Sequence, residues 1–366
     1  MIFGGLSAEK EVSLATGRYV YSLIDQQKFS SIPLYLSKDR KIYKLPDKLV
    51  IQNKTEDIET RLDEAEEISF EKLKERVDVM FIALLGKYGE DGVIQGLLEL
   101  LKIPYTGSGI LASSLLMQKR TTKQILRNNG IKVADDVVIE KYNWEANQKK
   151  ILLQITNTLS LPVVVKPSRE GSSVGVTYAE TKSQLIDSIN EALKWDTEII
   201  VEKYIEGKEF MCVVLGNDKP IALNPTQVEF DGKIFTYKDK YMPGKAKYYT
   251  PPKDTSPQVV QKIKDIAVQA YKEFGIKGYG RVDGFIVGED IYVTELHTGT
   301  IMVSSSYVFQ QASRTKIGTN GLKLKTFSNK GGKGSKINTG FSPRDLISTI
   351  IYFAMDAHST KIGTLQ

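Results

Sequence analysis

Apolar positions in this chain fall into short blocks of two different periods, and their alternation predicts the fold class. Met1–Phe3 reads as the end of a strand, followed by Gly4-Gly5 and a helix from about Glu11 to Gln26. That strand has almost nothing before it, so the natural start is expected upstream of Met1. Val77–Leu85 is a continuous apolar run suited to a buried parallel strand. Gly92–Leu101 reads as a helix ending before Ile103-Pro104, because the residue ahead of a proline is pushed out of the helical region. Lys54–Glu67 is acidic and polar and reads as an exposed helix or loop. The alternation predicts an α/β unit over residues 1–107, a parallel sheet with helices on both faces.

A second unit, 108–201, starts with helices around Gly109–Asn129. It continues with a strand at Pro162–Lys166, a helix at about Lys182–Trp195 and a strand at Glu198–Glu202. The third, 202–366, is rich in strands: Glu209–Leu215, Pro220–Leu223, Gln227–Phe230, Gly280–Val287 and Asp290–Leu296, interrupted by a long helix at Pro257–Phe274. There is no internal repeat, and Asn329–Lys336 is low-complexity.

Composition narrows the class. With 41% hydrophobic and 26% charged residues, this is the profile of a soluble globular protein. No apolar run approaches the roughly 18 residues that span a bilayer, and the N-terminus lacks a secretory signal pattern, so a cytoplasmic protein without a membrane partner is expected. The lone Cys212 cannot form an intrachain disulfide, and with His297 and His358 as the only histidines a multi-histidine zinc site is excluded. The net charge of +6 is a solubility charge rather than the footprint of a nucleic-acid binder. Its excess is uneven: from Leu296 to Arg344 there is no Asp or Glu, while Arg314, Lys316, Lys323, Lys325, Lys330, Lys333, Lys336 and Arg344 are basic. That stretch is either an anion-binding surface or a solvated loop.

Three groups of residues carry candidate chemistry. In Lys166–Gly175, KPSREGSSVG, a lysine at a strand end leads into a turn where Gly171 and Gly175 admit close backbone approach and Ser172 and Ser173 add hydroxyls, a combination suited to a polyphosphate. No GKS or GKT closes it, so it is not a Walker A loop. Glu202 closes an apolar strand and is followed by Lys203, with Glu209 further on; a carboxylate there can accept from a purine amino group or a ribose hydroxyl. Finally, alternation along a strand puts Arg281 and Asp283 on one face and Glu295 and His297 on one face, and a short turn at Gly288–Asp290 predicts a hairpin that joins the pairs. Carboxylates so placed repel unless a cation lies between them, and Mg²⁺ with substrate phosphates is the natural candidate.

Taken in order, the motifs resemble those of D-alanine–D-alanine ligases. They are Gly4–Ser13 (GGLSAEKEVS), Gly89–Gly92 with Gln95–Glu99, Ile103–Gly107, Met117–Lys119, the KPSREGSSVG loop, Glu202-Lys203 and Arg281–Asp283, and they run from residue 1 to about 297. The resemblance implies a three-domain ATP-grasp fold, with a preATP-grasp domain over 1–107, a central subdomain over 108–201 and a catalytic subdomain over 202–366. It implies ATP with Mg²⁺ or Mn²⁺ as cofactors, D-alanine as substrate and a homodimer. Carried over by position, Lys119 and Lys166, with Ser172 and Ser173, would bind ATP phosphates, and Glu202, Lys203 and Glu209 would hold adenine and ribose. Asp283, Glu295 and His297 would hold the metal, and Arg281 would stabilise the transferring phosphoryl group. Glu9 would bind the first ammonium, with Ser172 and Tyr241 closing around it, and Ser306 would contact the second substrate's carboxylate. Tyr237–Tyr241 resembles the family's lid, with Lys240 reaching the phosphate.

The chain also departs from the family. It has Leu85 where the family has His, His297 where it has Asn, and Thr300-Ile301 where it has Pro-Gly; that glycine helps form a backbone oxyanion site. The changes gather on the second-substrate side. Besides an active ligase, they leave open an ATP-grasp ligase with a different second substrate and an ATP-binding homologue impaired in turnover.

Overall fold

The computed structural model describes residues 1–235, 245–315 and 341–363. Three sheets organise them. In the first, β1 (Ile2–Gly4) pairs in parallel with β2 (Leu34–Leu36), and β3 (Ile42–Lys44) and β4 (Glu66–Ile68) continue it antiparallel. The purely parallel sheet expected here is thus corrected to a mixed one. Val77–Leu85 also differs from the expected strand: it makes isolated parallel bridges, Ile82 to Ile2 and Met80 to Tyr105. The run is buried from Met80 to Leu85 as its apolar pattern requires, but side chains interrupt the ladder. Thr106 Oγ1 accepts from Ile82 N, and Ser13 Oγ donates to Ala83 O. Lys54–Glu67 is only partly exposed, since Thr55 and Ile58 are buried and its end enters β4.

Helix α1 (Lys10–Leu23) lies on β1, and α2 (Val93–Leu100) follows the 85–92 loop. The second sheet is antiparallel, in the order β5 (Asp136–Glu140), β8 (Glu198–Lys203), β6 (Val163–Pro167), β7 (Thr177–Ala179). It is preceded by α3 (Ile110–Met117) and α4 (Lys119–Asn128), and packed with α5 (Lys141–Thr158) and α6 (Lys182–Ala192). Helix α6 starts on a capping box: Thr181 Oγ1 accepts from Gln184 N, and the Gln184 side chain accepts from Thr181 N.

The third sheet runs β12 (Ala246–Tyr249), β11 (Thr226–Phe230), β9 (Lys208–Leu215), β13 (Tyr279–Val287), β14 (Asp290–His297), with β10 (Ile221–Ala222) beside β9. Across it lies α7 (Pro257–Glu273), whose start is fixed by Pro257 and by Ser256 Oγ accepting from Val259 N. Its buried residues Val259, Ile263, Ala267, Ala270 and Tyr271 recur every three to four positions and form one stripe against the sheet. Helices α8 (Tyr307–Arg314) and α9 (Pro343–Gly363) complete the described chain. One apolar core runs through the first and third units, joining Phe3, Leu14 and Tyr35 to Met211, Val308 and Leu346. That shared core sets the 85–92 loop against the end of β14.

Candidate functional site

Hairpin β13–β14 joins the two pairs that alternation predicted. Arg281 stands opposite His297 and Asp283 opposite Glu295, and the strands turn after Val287 pairs with Asp290. A bulge follows Asp283, where the register shifts before Gly284. Glycine is required there, because a Cβ would lie 2.1 Å from Tyr292 O. Arg281 grips Asp283 with both ends of its guanidinium, Nε to Oδ1 and Nη2 to Oδ2 at 2.7 Å each, and its Nη1 donates to Tyr307. Lys119 Nζ lies 3.5 Å from Glu295. Protein cations therefore already offset the paired carboxylates that the sequence suggested a metal would have to neutralise. His297 Nε2 sits between them, 3.4 Å from Asp283 Oδ2 and 3.5 Å from Glu295 Oε2. Burial and Arg281 oppose protonation of His297, but the two carboxylates outweigh them and raise its pKa. Burial likewise opposes ionisation of Glu295, yet Lys119 and its other cationic neighbours hold its carboxyl well below the usual range.

Across the cleft, the second sheet brings Asp136 directly opposite Glu202. Like charges so placed are destabilising, and Lys123, buried on α4, resolves the clash at 3.1 Å from Asp136 and 2.7 Å from Glu202. The second oxygen of Glu202 takes Lys166 at 2.7 Å. Burial alone would raise the Glu202 carboxyl, but Lys123 and Lys166 hold it at about 2. Both Glu202 oxygens are thus engaged by lysines, which the reading of this carboxylate as a simple ligand acceptor did not foresee.

The Gly/Ser loop joins these halves. Its left-handed residues include Ser172 (φ 47°) and Ser173 (φ 60°) as well as Gly175 (φ 67°). At Gly175 a Cβ would come within 2.8 Å of Pro167 and Trp195. Ser172 Oγ donates to Glu9 Oε1, Ser173 Oγ donates to Phe235 O at 2.9 Å, Lys87 pairs with Glu170, and Lys119 Nζ donates to Glu170 O at 2.5 Å.

Two adjoining cavities share Lys119, Glu170, Gly171, Phe235, Thr294 and Glu295. The first holds Glu9, Ser172, Arg281, His297, Leu85, Thr300 and Ile301. Lys166, Ser173, Glu202, Lys203, Glu209 and Asp283 line the second. One cleft therefore gathers most of the expected site. Ser306 is the exception: it is buried outside the lining, and its Oγ accepts from Val303 N at 2.8 Å, shaping the turn before α8. Lys240 and Tyr241, with the rest of Tyr237–Tyr241, lie outside the described residues, as does most of the basic stretch, 316–340. Sequence reasoning missed Lys123, Asp136 and Tyr307; the β5 strand that carries Asp136 is short, and no local pattern links these residues to the cleft.

Two mixed α/β layers closing on a lysine- and carboxylate-lined cleft define an ATP-grasp type of protein. The chain belongs to the D-alanine–D-alanine ligase family: the family models described as D-ala D-ala ligase N-terminus and C-terminus match residues 1–108 and 125–325. It is 36% identical over 307 residues to a D-alanine–D-alanine ligase of Clostridium novyi (strain NT), covering 81% of this chain and 87% of that protein. It is also 36% identical over 319 residues to one of Carboxydothermus hydrogenoformans, covering 86% and 92%. Among solved structures, a D-Ala:D-Ser ligase from Enterococcus faecalis superposes with a TM-score of 0.76 at 29% identity, over 96% of this chain and 98% of that one. A D-alanine–D-alanine ligase from Bacillus anthracis gives 0.71 at 26% identity, over 98% of each.

Proposed function

We propose that this protein joins two D-alanines into D-alanyl-D-alanine through an acylphosphate, using ATP, and thereby serves peptidoglycan precursor synthesis. The observation that carries the reading is the single cleft in which Glu9 and Ser172 face Arg281, Glu295 and Lys119, with Lys166 and Glu202 alongside. A carboxylate is a poor electrophile, and transfer of the γ-phosphoryl group gives it a good leaving group for attack by the second amine. Arg281, Lys119 and Lys166 offset the charge that builds during transfer. The Glu9 carboxylate receives the ammonium of the first D-alanine, with Ser172 holding that carboxylate in place. Glu202, Lys203 and Glu209 bound the adenosine end, where the two lysines on Glu202 keep it ionised.

Among the described residues no three His, Cys, Asp or Glu side chains form a ready metal cage. Mg²⁺ rarely asks for one: it binds one or two carboxylates, keeps waters and takes its other ligands from substrate phosphates. The hard oxygens of Asp283 and Glu295, directly cross-strand with His297 between them, fit that donor set and would hold it. When bound, it would supply charge neutralisation at the phosphates. We assign the units 1–107, 108–201 and 202–366 to the preATP-grasp, central and catalytic domains, and propose a cytoplasmic homodimer.

A changed second substrate is the alternative, favoured by Leu85 and Ile301 lining the same cavity. The test is ADP release from ATP and Mg²⁺ with and without D-alanine, with dipeptide identified by mass spectrometry. D-alanine-dependent ADP release with dipeptide is expected. No stimulation by D-alanine overturns the reading, and stimulation only by another amine supports the alternative.

A further inference from the structure

Glu90 lies in the 85–92 loop, and its two carboxylate oxygens serve two separate loops. Oε2 accepts from Gly86 N at 2.8 Å within its own turn, and Oε1 accepts from Gly299 N at 3.0 Å, just after β14. Both partners are glycines for a steric reason. A Cβ on Gly299 would lie 2.7 Å from Glu90 Oε1, and a Cβ on Gly86, at φ +66°, would lie 2.5 Å from Glu9 Oε2. Gly86 is thus wedged between the Glu90 carboxylate, which holds its N–H, and the Glu9 carboxylate, which covers its open face.

On the other side, Gly299 leads directly into Thr300 and Ile301, which line the cleft. A second tie follows them, since Thr16 Oγ1 accepts from Met302 N at 3.3 Å. Thr300 and Ile301 are therefore suspended between two backbone amides pinned by the first unit of the fold. Thr300 Oγ1 is in turn 3.0 Å from the Tyr307 hydroxyl that takes Arg281.

We infer that Glu90 is a positioning residue for ligation: one side chain fixes the spacing between the Glu9 wall, where the first amino acid is held, and the 299–301 backbone, past which the second amine must approach. This rests on the ligase reading above. Two backbone N–H donors ask for two acceptors. A carboxylate supplies both, whereas an amide of the same shape supplies one acceptor and turns an NH₂ toward the other donor. Misplacement of a reacting group by about 1 Å costs on the order of 10²-fold in rate, so the clamp acts on turnover rather than on nucleotide binding.

The experiment compares the full-length protein with Glu90→Gln and Gly299→Ala, measuring kcat, KM for ATP and for D-alanine, unfolding midpoint, and amide hydrogen exchange across residues 297–302. Both variants are expected to lose about 10²-fold in kcat, to keep the KM for ATP and the unfolding midpoint, and to exchange faster at 297–302. Unchanged kcat in an active protein, or unchanged exchange at 297–302, overturns the proposal. So does loss of ATP affinity in step with kcat, which marks a general structural role. If Glu90→Gln fails to fold, Gly299→Ala carries the same comparison with Glu90 intact. If the unmodified protein shows no D-alanine-dependent ADP release, the ligase reading falls, and the exchange measurement still decides whether Glu90 holds the loop.

Discussion

Lys123 and Glu202 form a buried ion pair at 2.7 Å, and the Lys123 side chain is 2% exposed. Taking an ammonium out of water is costly unless it is fully paired, and Lys123 meets that condition by bridging Asp136 and Glu202, which confront each other across β5 and β8. The pair is thus a structural condition for the wall of the cleft on which Lys166 sits.

Replacing Lys123 by Met should leave two opposed carboxylates with less compensation. Removing one partner of a buried pair costs about 3–5 kcal/mol. Urea unfolding of the full chain, followed by fluorescence, is expected to show a loss of that size, and a loss below about 1 kcal/mol would place the pair among ordinary surface contacts.

Acid should act through Glu202. Its folded pKa, about 2, lies below the ordinary 4.5, so its contribution is fully present above 4.5 and is lost as pH falls through about 2. The unfolding midpoint is expected to drop across that window, and the drop to be shallower in Glu202→Gln. Equal slopes in the two proteins would remove Glu202 from the acid response.

Lys166→Ala should weaken ATP binding through loss of a charge-assisted contact, on the order of 1.5–3 kcal/mol. Titration calorimetry with a non-hydrolysed ATP analogue reads this directly. An unchanged Kd would show that Lys166 serves Glu202 alone.

The resemblance places an oxyanion-forming backbone at Thr300 and Ile301, which line the cleft. Restoring Thr300→Pro with Ile301→Gly is expected to raise dipeptide turnover, by up to about 10²–10³ if one backbone donor is regained, with ATP affinity unchanged. Ordinary turnover of roughly 1–10³ per second in the unmodified protein would mean that this loop supplies its donor without the glycine.

The sequence by itself determined the charged pairs of the β13–β14 hairpin. Alternation fixes which side chains share a face along one strand, so Arg281 with Asp283 and Glu295 with His297 were each legible as pairs. The two-residue turn at Gly288-Glu289 alone would set the pairs on opposite faces, and the bulge after Asp283, which no local pattern announced, brings them together. The long amphipathic helix at Pro257–Glu273 was legible for the same reason, a sustained period with a cap and a proline at its start. The first sheet was not, because strands of three residues carry too little pattern to reveal their direction. Nor was the pairing of charges. Lys123 lies on a helix, Asp136 and Glu202 lie on strands far apart in the chain, and only the sheet register and helix packing bring them within one ion pair. The contact between Glu90 and Gly299 spans 209 positions. No local period encodes such a contact; it exists because the apolar core shared by the first and third units presses two loops together, and a carboxylate between two glycines fills the space that remains.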